Sequence, residues 1–403
     1  MNSRKNLLLI TEDFPVGIAE ATFLPTEYEA LCKEFNVTIV MVSGKPLGGD
    51  VLAFENGRAS LFEIATKEYR SELKSALKVA TSLKQKLAIV RNVTRSQEHA
   101  VVAYKQLDRI IAERNIDIIY SYWCFDQVLA AVRLKDKYPK LKVVSRFHGF
   151  DLYTWRTGAA QWQCFRNEIL PKLDKLIFVS QQGRRYMLDT WPNIDESKCL
   201  VSHIGTGENQ RIAYKDGEYY TIISCSDMIS LKRIDLIIEA LAQLPSDIKV
   251  QWYHLGDGFL ESELKQFAKE KLEDKPNIKY MFAGRLPFGE VCEFYRNVTP
   301  TAFITTSSTE GLPISIVEAF SMGIPALATD VGGMRELVDD STGKLMSSNP
   351  DAKEVARTIL DFISMHETDR QRIADNAYNR WQEEHNSSQQ SQRLVDMLKA
   401  LCK

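Results

Sequence analysis

Two glutamates stand on either side of a Gly-Leu-Pro in the stretch 308–336, STEGLPISIVEAFSMGIPALATDVGGMRE: Glu310 just before it and Glu318 after it. Pro313 suits the first turn of a helix, where a missing N–H costs nothing. Ile314, Val317 and Phe320/Ser321 fall at helical spacing, and Gly323 and Pro325 end the run. The start of this helix, with Gly311 and Leu312 just ahead of it, presents unpaired amide N–H groups and the positive end of the helix dipole. That is a seat suited to a phosphate or diphosphate. Gly311 lets the backbone come close to such a ligand. A carboxylate cannot hold the anion, but it accepts hydrogen bonds from paired hydroxyls such as those of a ribose. Glu318 fits that task on one side of the anion, and Glu310 fits it for sugar hydroxyls on the other. The competing reading is a capped helix with Glu318 facing solvent, since acids near helix starts are common.

The elements that must position these groups follow from the alternation of apolar runs. Asn6–Ile10, Val37–Met41, Ile116–Ser121, Lys142–Phe147 and Leu176–Ser180 read as buried strands, separated by helical stretches such as Leu24–Glu34, Gln127–Asp136 and Gln182–Leu188. That rhythm argues a parallel sheet covered on both faces. The pattern then restarts, with strands over Tyr220–Cys225, Lys249–Leu255, Ile278–Ala283, Ala302–Thr306 and Ala326–Thr329, and helices over Arg233–Leu244 and Leu260–Lys271. The polar, glycine-containing segment His203–Tyr220 reads as a hinge. The expected fold is α/β, two Rossmann-like doubly wound domains facing across a cleft. The expected boundaries are 1–205 for the first domain, 206–219 for the hinge, 220–384 for the second domain and 385–403 for a terminal helix returning to the first domain. In such sheets ligands sit beyond the carboxyl ends of the strands.

The composite run E-G-L-P-I-S-I-V-E-A-F-S-M-G-I-P, followed by V-G-G-M-R-E, resembles the signature of the retaining family-4 glycosyltransferases, which have the GT-B fold. Weaker likenesses cover nearly the whole chain: FPVGIAEATFLPTEYEAL, VVSRFHGFDLY, LKRIDLIIEAL, HLGDGFLESEL and MFAGRLPFGEVCEFY. The resemblance implies a metal-independent enzyme with no cofactor, moving a sugar from a UDP- or GDP-sugar to a glycan or lipid-linked acceptor with retention, in bacterial surface polysaccharide synthesis.

Carried onto this chain, the resemblance implies that Lys232 binds the donor diphosphate and steadies the charge that builds on the leaving group. It places His148 beside the transferred sugar, with Asp151 close by, and a glycine loop near donor and acceptor at Gly17. Glu20 and Thr22 fall where acceptor contacts are expected, or they are ordinary caps. Gly311, Leu312 and Ile314 contact the donor, and Arg285 lies where the nucleobase meets main chain. The chain departs from the family at Ser226 and Asp227, where many members have Gly-Arg. An aspartate there repels a diphosphate unless it points away or a second cation, Arg233, replaces the arginine. Gly256 and Gly258 form a lone G-x-G without a third glycine, read as a turn.

Lys67–Arg95 is rich in Lys and Arg, with Leu73, Ala76/Leu77, Ala80, Leu83, Leu87 and Val90 at helical spacing. One basic amphipathic helix is expected. It either packs on the first domain or lies on an anionic membrane surface. With 403 residues, 44% apolar content and a formal charge of −2, the chain reads as a two-domain cytoplasmic protein, at most peripheral on a membrane, with no bias toward nucleic acid. The first apolar run is too short to span a bilayer and lacks a cleavage site. Seven scattered cysteines suggest neither a disulfide framework nor a zinc site. Two other classes fit the same groups. A non-catalytic nucleotide-sugar binder releases no nucleoside diphosphate with acceptor, and a glycosyl phosphorylase needs inorganic phosphate.

Overall fold

The computed structural model describes residues 4–17, 20, 24–213 and 217–402. The chain forms two compact units, Met1–His203 with Ser391–Lys403, and Ile204–Gln390. The first holds seven strands: β1 (Asn6–Thr11), β2 (Asn36–Met41), β3 (Val51–Ala53), β4 (Ile118–Ser121), β5 (Lys142–Phe147), β6 (Lys175–Phe178) and β7 (Cys199–Val201). They form one parallel sheet in the order β3-β2-β1-β4-β5-β6-β7. Both faces are covered, which is why β1 reads as an unbroken apolar run. Its alternate residues serve different layers. Leu8 and Ile10 pack with Ile89, Val93 and Val128. Leu7 and Leu9 pack with Leu24 and Leu31, and with Leu394, Val395 and Leu398 of the helix Ser387–Leu401.

The second unit holds β8 (Tyr220–Cys225), β9 (Val250–Leu255), β10 (Ile278–Gly284), β11 (Ala302–Thr305), β12 (Ala326–Thr329) and β13 (Gly343–Met346), in the parallel order β10-β9-β8-β11-β12-β13. Both units are therefore Rossmann-like, with helices on both faces of the sheet. In each, the strand order reverses beside the first strand, between β1 and β4 and between β8 and β11. The loops leaving those strands diverge there, and ligands of such sheets settle at that point.

β3, β7 and β13, each three or four residues long, are absent from the sequence expectation. The expected single helix over 67–95 is instead two: Lys67–Lys78, and Leu83–Arg114 of 32 residues. Ser82 ends the continuity. Its hydroxyl accepts from the amide of Gln85 and so starts a second helix. The segment expected as a hinge begins inside the second unit. The indole N–H of Trp381 donates to Thr206 Oγ1 at 2.9 Å, and the Ile212 amide donates to the Met322 carbonyl.

Candidate active site

In the second unit the loops after β8 and β11 are laced together at the reversal point. The Ser308 amide donates to the Leu231 carbonyl at 2.8 Å, and the Thr306 hydroxyl lies 3.0 and 2.8 Å from the carbonyls of Lys232 and Arg233. Arg233, whose φ is +46°, turns its guanidinium onto the loops after β11 and β13. It donates to the carbonyls of Thr306, Ser307 and Ser348 and to Asn349 Oδ1. That corrects its expected role. With four donated bonds it braces the two loops and is no open cation for a diphosphate. The neighbouring Lys232 does project: its Nζ meets Glu310 Oε1 at 2.5 Å.

Glu310 and Gly311 are shaped from outside by the turn at Val331–Gly333. Gly332 has φ +58°, and a Cβ on it would sit 1.9 Å from the Glu310 carbonyl oxygen, so only glycine fits. The Gly333 amide donates to the Gly311 carbonyl at 2.9 Å. The next helix spans Ile314–Ser321 after Pro313. Among the described residues, the amides of Gly311, Leu312, Ile314 and Ser315 have no acceptor, so four donors are left open at the start of the helix.

Glu318 stands on the second turn of that helix and is 9% exposed. No N–H or O–H among the described residues donates to its carboxylate. Burial raises its pKa from the ordinary carboxylate range to about 7. Its charge is felt by three groups, Cys225, Cys292 and Tyr295. Burial first, and then the Glu318 charge, pushes the thiols of Cys225 and Cys292 up to about 12 and about 11. A buried carboxylate without a donor is costly. Its persistence on the helix that follows the β11 loop points to a ligand that brings hydroxyls.

The departure at Asp227 has its answer nearby. Arg285, after β10, pairs with Asp227 Oδ1 at 2.5 Å and with Asp257 Oδ1 at 2.8 Å. Asp227 is thus paired in place, and the Arg285 side chain is bound to two aspartates, not extended to a base as expected. The G-x-G has a packing cause: a Cβ on Gly256, at φ +134°, would lie 2.0 Å from the Ser226 carbonyl oxygen.

In the first unit a second cluster forms where the loops after β1, β4 and β5 meet. The ring of His148 lies 4.0 Å from Trp123 and 4.8 Å from Tyr122, and its Nε2 donates to the Tyr122 carbonyl at 2.9 Å. That bond leaves Nδ1 as a lone-pair acceptor. Burial and the Arg146 charge lower the His148 pKa to about 3, so the ring is neutral. Arg146 is itself held by Glu27 at 2.9 Å in a buried ion pair.

Two expected acceptor contacts are corrected here. Asp151 is 1% exposed, and its carboxylate accepts from the amides of His148 and Cys124 at 2.7 and 2.8 Å. Glu20 is fully buried and accepts from the amides of Glu12, Asp13 and Phe14 and from the Trp123 indole. Both carboxylates are loop clasps. Gly17 donates its amide to the Asp13 carbonyl, and a Cβ there would meet the Asp13 side chain at 1.8 Å. Thr22 lies outside the described residues.

Residues 206–380 match the family Glycosyl transferases group 1, and residues 67–206 match Glycosyltransferase Family 4. An uncharacterized glycosyltransferase, MJ1178 of Methanocaldococcus jannaschii, is 26% identical over 288 residues, 70% of this chain and 77% of that protein. The O-antigen biosynthesis glycosyltransferase WbnH of Escherichia coli is 31% identical over 248 residues, 61% of this chain and 68% of its own. The chain belongs to the glycosyltransferases. Its fold is that of the GT-B members. The crystal structure of Anabaena Alr3699/HepE in complex with UDP superposes with a TM-score of 0.64 at 16% identity, over 98% of this chain and 100% of that one.

Trp123 and Tyr295 stand near the candidate residues His148 and Glu318, and the sequence reading did not single them out. Trp123 stacks on Phe125 and packs at a tilt against His148, and the Glu318 charge acts on the buried phenol of Tyr295. Each reaches its site only through sheet order, from β4 in one case and from the helix Phe288–Val298 in the other.

Proposed function

We propose that this glycosyltransferase moves a sugar from a UDP- or GDP-sugar to a hydroxyl of a glycan or lipid-linked acceptor in bacterial surface polysaccharide synthesis, with retention and without a metal. The observation that carries the reading is the buried carboxylate of Glu318, with no donor among the described residues, on the helix whose start leaves four amide N–H groups open. A nucleoside diphosphate supplies what both lack: ribose hydroxyls for the acid and phosphate oxygens for the amides. Alr3699/HepE crystallises with UDP-glucose, and WbnH is named for O-antigen biosynthesis, which supports this donor and acceptor class.

In the reaction the acceptor oxygen bonds to the anomeric carbon on the face from which the phosphate oxygen departs, and the hydroxyl proton passes to that oxygen. Negative charge grows on the leaving diphosphate. Lys232 keeps two ammonium hydrogens beyond the one given to Glu310, and these with the amides of Gly311, Leu312, Ile314 and Ser315 stabilise that charge. Glu310 orients sugar hydroxyls and holds Lys232 in place. The neutral His148 offers Nδ1 to a sugar hydroxyl.

A thermal-shift screen against UDP-, GDP- and ADP-sugars tests the donor class. Stabilisation by one of the first two, with nucleoside diphosphate released once an acceptor glycan is added, supports the reading. Stabilisation without release indicates a binder, and release that requires inorganic phosphate indicates a phosphorylase.

A further inference from the structure

The helix Lys67–Lys78 and the start of the helix Leu83–Arg114 form a hairpin whose inner side is fixed. Ala76, Ile89 and Val93 are fully buried, and Tyr69 Oη is bonded to Thr94 Oγ1 at 2.9 Å across the two helices. Its tip is open to solvent. Val79 is 53% exposed, Leu83 73%, Leu87 64% and Val90 39%. Leu83, Leu87 and Val90 recur at i, i+4 and i+7, an apolar stripe about 10 Å long on the face turned away from the core.

Around this stripe the charge has one sign. Residues 73–97 contain Lys74, Lys78, Lys84, Lys86, Arg91 and Arg95 and no acid, in a chain whose formal charge is −2. None of the six takes part in an ion pair or donates a hydrogen bond among the described residues. On a helical wheel Lys84 and Arg91 border the stripe on one side and Lys86 on the other.

We propose that this hairpin tip docks on the surface of a bilayer carrying anionic lipids, with Leu83, Leu87 and Val90 inserted at the headgroup boundary and the six cations in the headgroup layer. An apolar ridge bordered by unmatched lysines is what such an interface recognises. A protein partner of ordinary mixed charge would leave those cations unmatched. Among the described residues no helix is long and apolar enough to cross a membrane, so the tip lies on the surface. Lipid binding is read without nucleotide, which keeps its outcome separate from the donor chemistry.

The test is co-sedimentation of the full chain with phosphatidylcholine–phosphatidylglycerol vesicles and with phosphatidylcholine vesicles. Binding is expected to the first only and to fall with added salt. Lys84→Ala and Lys86→Ala each lower the partition coefficient about fivefold. Leu83→Ser with Leu87→Ser lowers it at least about tenfold. All four positions face solvent, so an unchanged melting temperature certifies folding. Equal binding to both vesicles, binding to neither, or loss of self-association in Leu83→Ser/Leu87→Ser without vesicle binding would each overturn the proposal; the last would mark a contact between copies.

Discussion

Lys232 Nζ and Glu310 Oε1 lie 2.5 Å apart, joining the loop after β8 to the loop after β11 where the strand order of the second unit reverses. The pair is part-buried, with side-chain exposures of 24% and 14%. It places a cation and an anion beside four amides that have no acceptor. A diphosphate seated there would meet a side-chain charge and main-chain donors together.

Lys232→Ala is expected to slow sugar transfer about 100- to 1,000-fold, because charge on the leaving diphosphate loses its side-chain cation. Donor affinity should change far less, and Lys232→Arg should restore part of the rate. Steady-state kinetics with nucleoside diphosphate release as readout check this. A variant with an unchanged rate and a weakened donor KM would assign Lys232 to ground-state binding alone.

Glu318→Ala removes the acceptor for two ribose hydroxyls. Each charge-assisted hydrogen bond contributes about 1.5–3 kcal/mol, so donor affinity should drop at least about tenfold by calorimetric titration. Unchanged affinity would take Glu318 out of the donor site.

The same residue sets a pH dependence of stability. Its folded pKa, about 7, lies above the ordinary value of 4.5. The native state holds that proton more tightly than the unfolded chain, so the contribution is fully present below the ordinary value. It is lost as pH rises through about 7, a change of about 3 kcal/mol. Glu318→Gln should abolish this slope, making the ligand-free variant more stable than the parent above neutrality. Chemical denaturation at a series of pH values measures it, and parallel curves for the two proteins would contradict the burial argument.

Glu20→Gln and Asp151→Asn should each destabilise the first unit by about 1–3 kcal/mol, since a buried main-chain N–H is left facing an amide NH₂. A lowered melting temperature is the readout. If either variant melts like the parent yet loses acceptor affinity, the residue contacts acceptor after all.

His148 should stay neutral across the working range. Its Nε2–H is held by the Tyr122 carbonyl, and its pKa is near 3. The imidazole resonances of this residue, identified by their loss in His148→Asn, should not shift between pH 5 and 8. A shift there would show that the ring can take up a proton at the site.

Much of the fold was legible because buried parallel strands are unbroken apolar runs. Lys142–Phe147, Tyr220–Cys225 and Ala326–Thr329 were bounded to the residue. β3, β7 and β13 were not, because strands of three or four residues are too short for a periodic signal. At the site, local order was readable: the helix start at Pro313 and the place of Glu318 on that helix follow from spacing, whereas the turn at Gly332–Gly333 was seen only as part of a resembling motif. What a side chain is bonded to was not. Glu20 and Asp151 have the composition of polar contacts, and only the tertiary fold shows that their oxygens are filled by main-chain amides. Asp227 looked like a defect until Arg285, 58 residues away in sequence, was found beside it.

The most direct measurement is a crystal structure of the chain with a nucleoside diphosphate. The phosphates are expected against the amides of Gly311, Leu312, Ile314 and Ser315, within reach of Lys232, with the ribose hydroxyls on the Glu318 carboxylate. A nucleotide seated elsewhere, or one whose ribose leaves Glu318 without a donor, would contradict the proposed donor site.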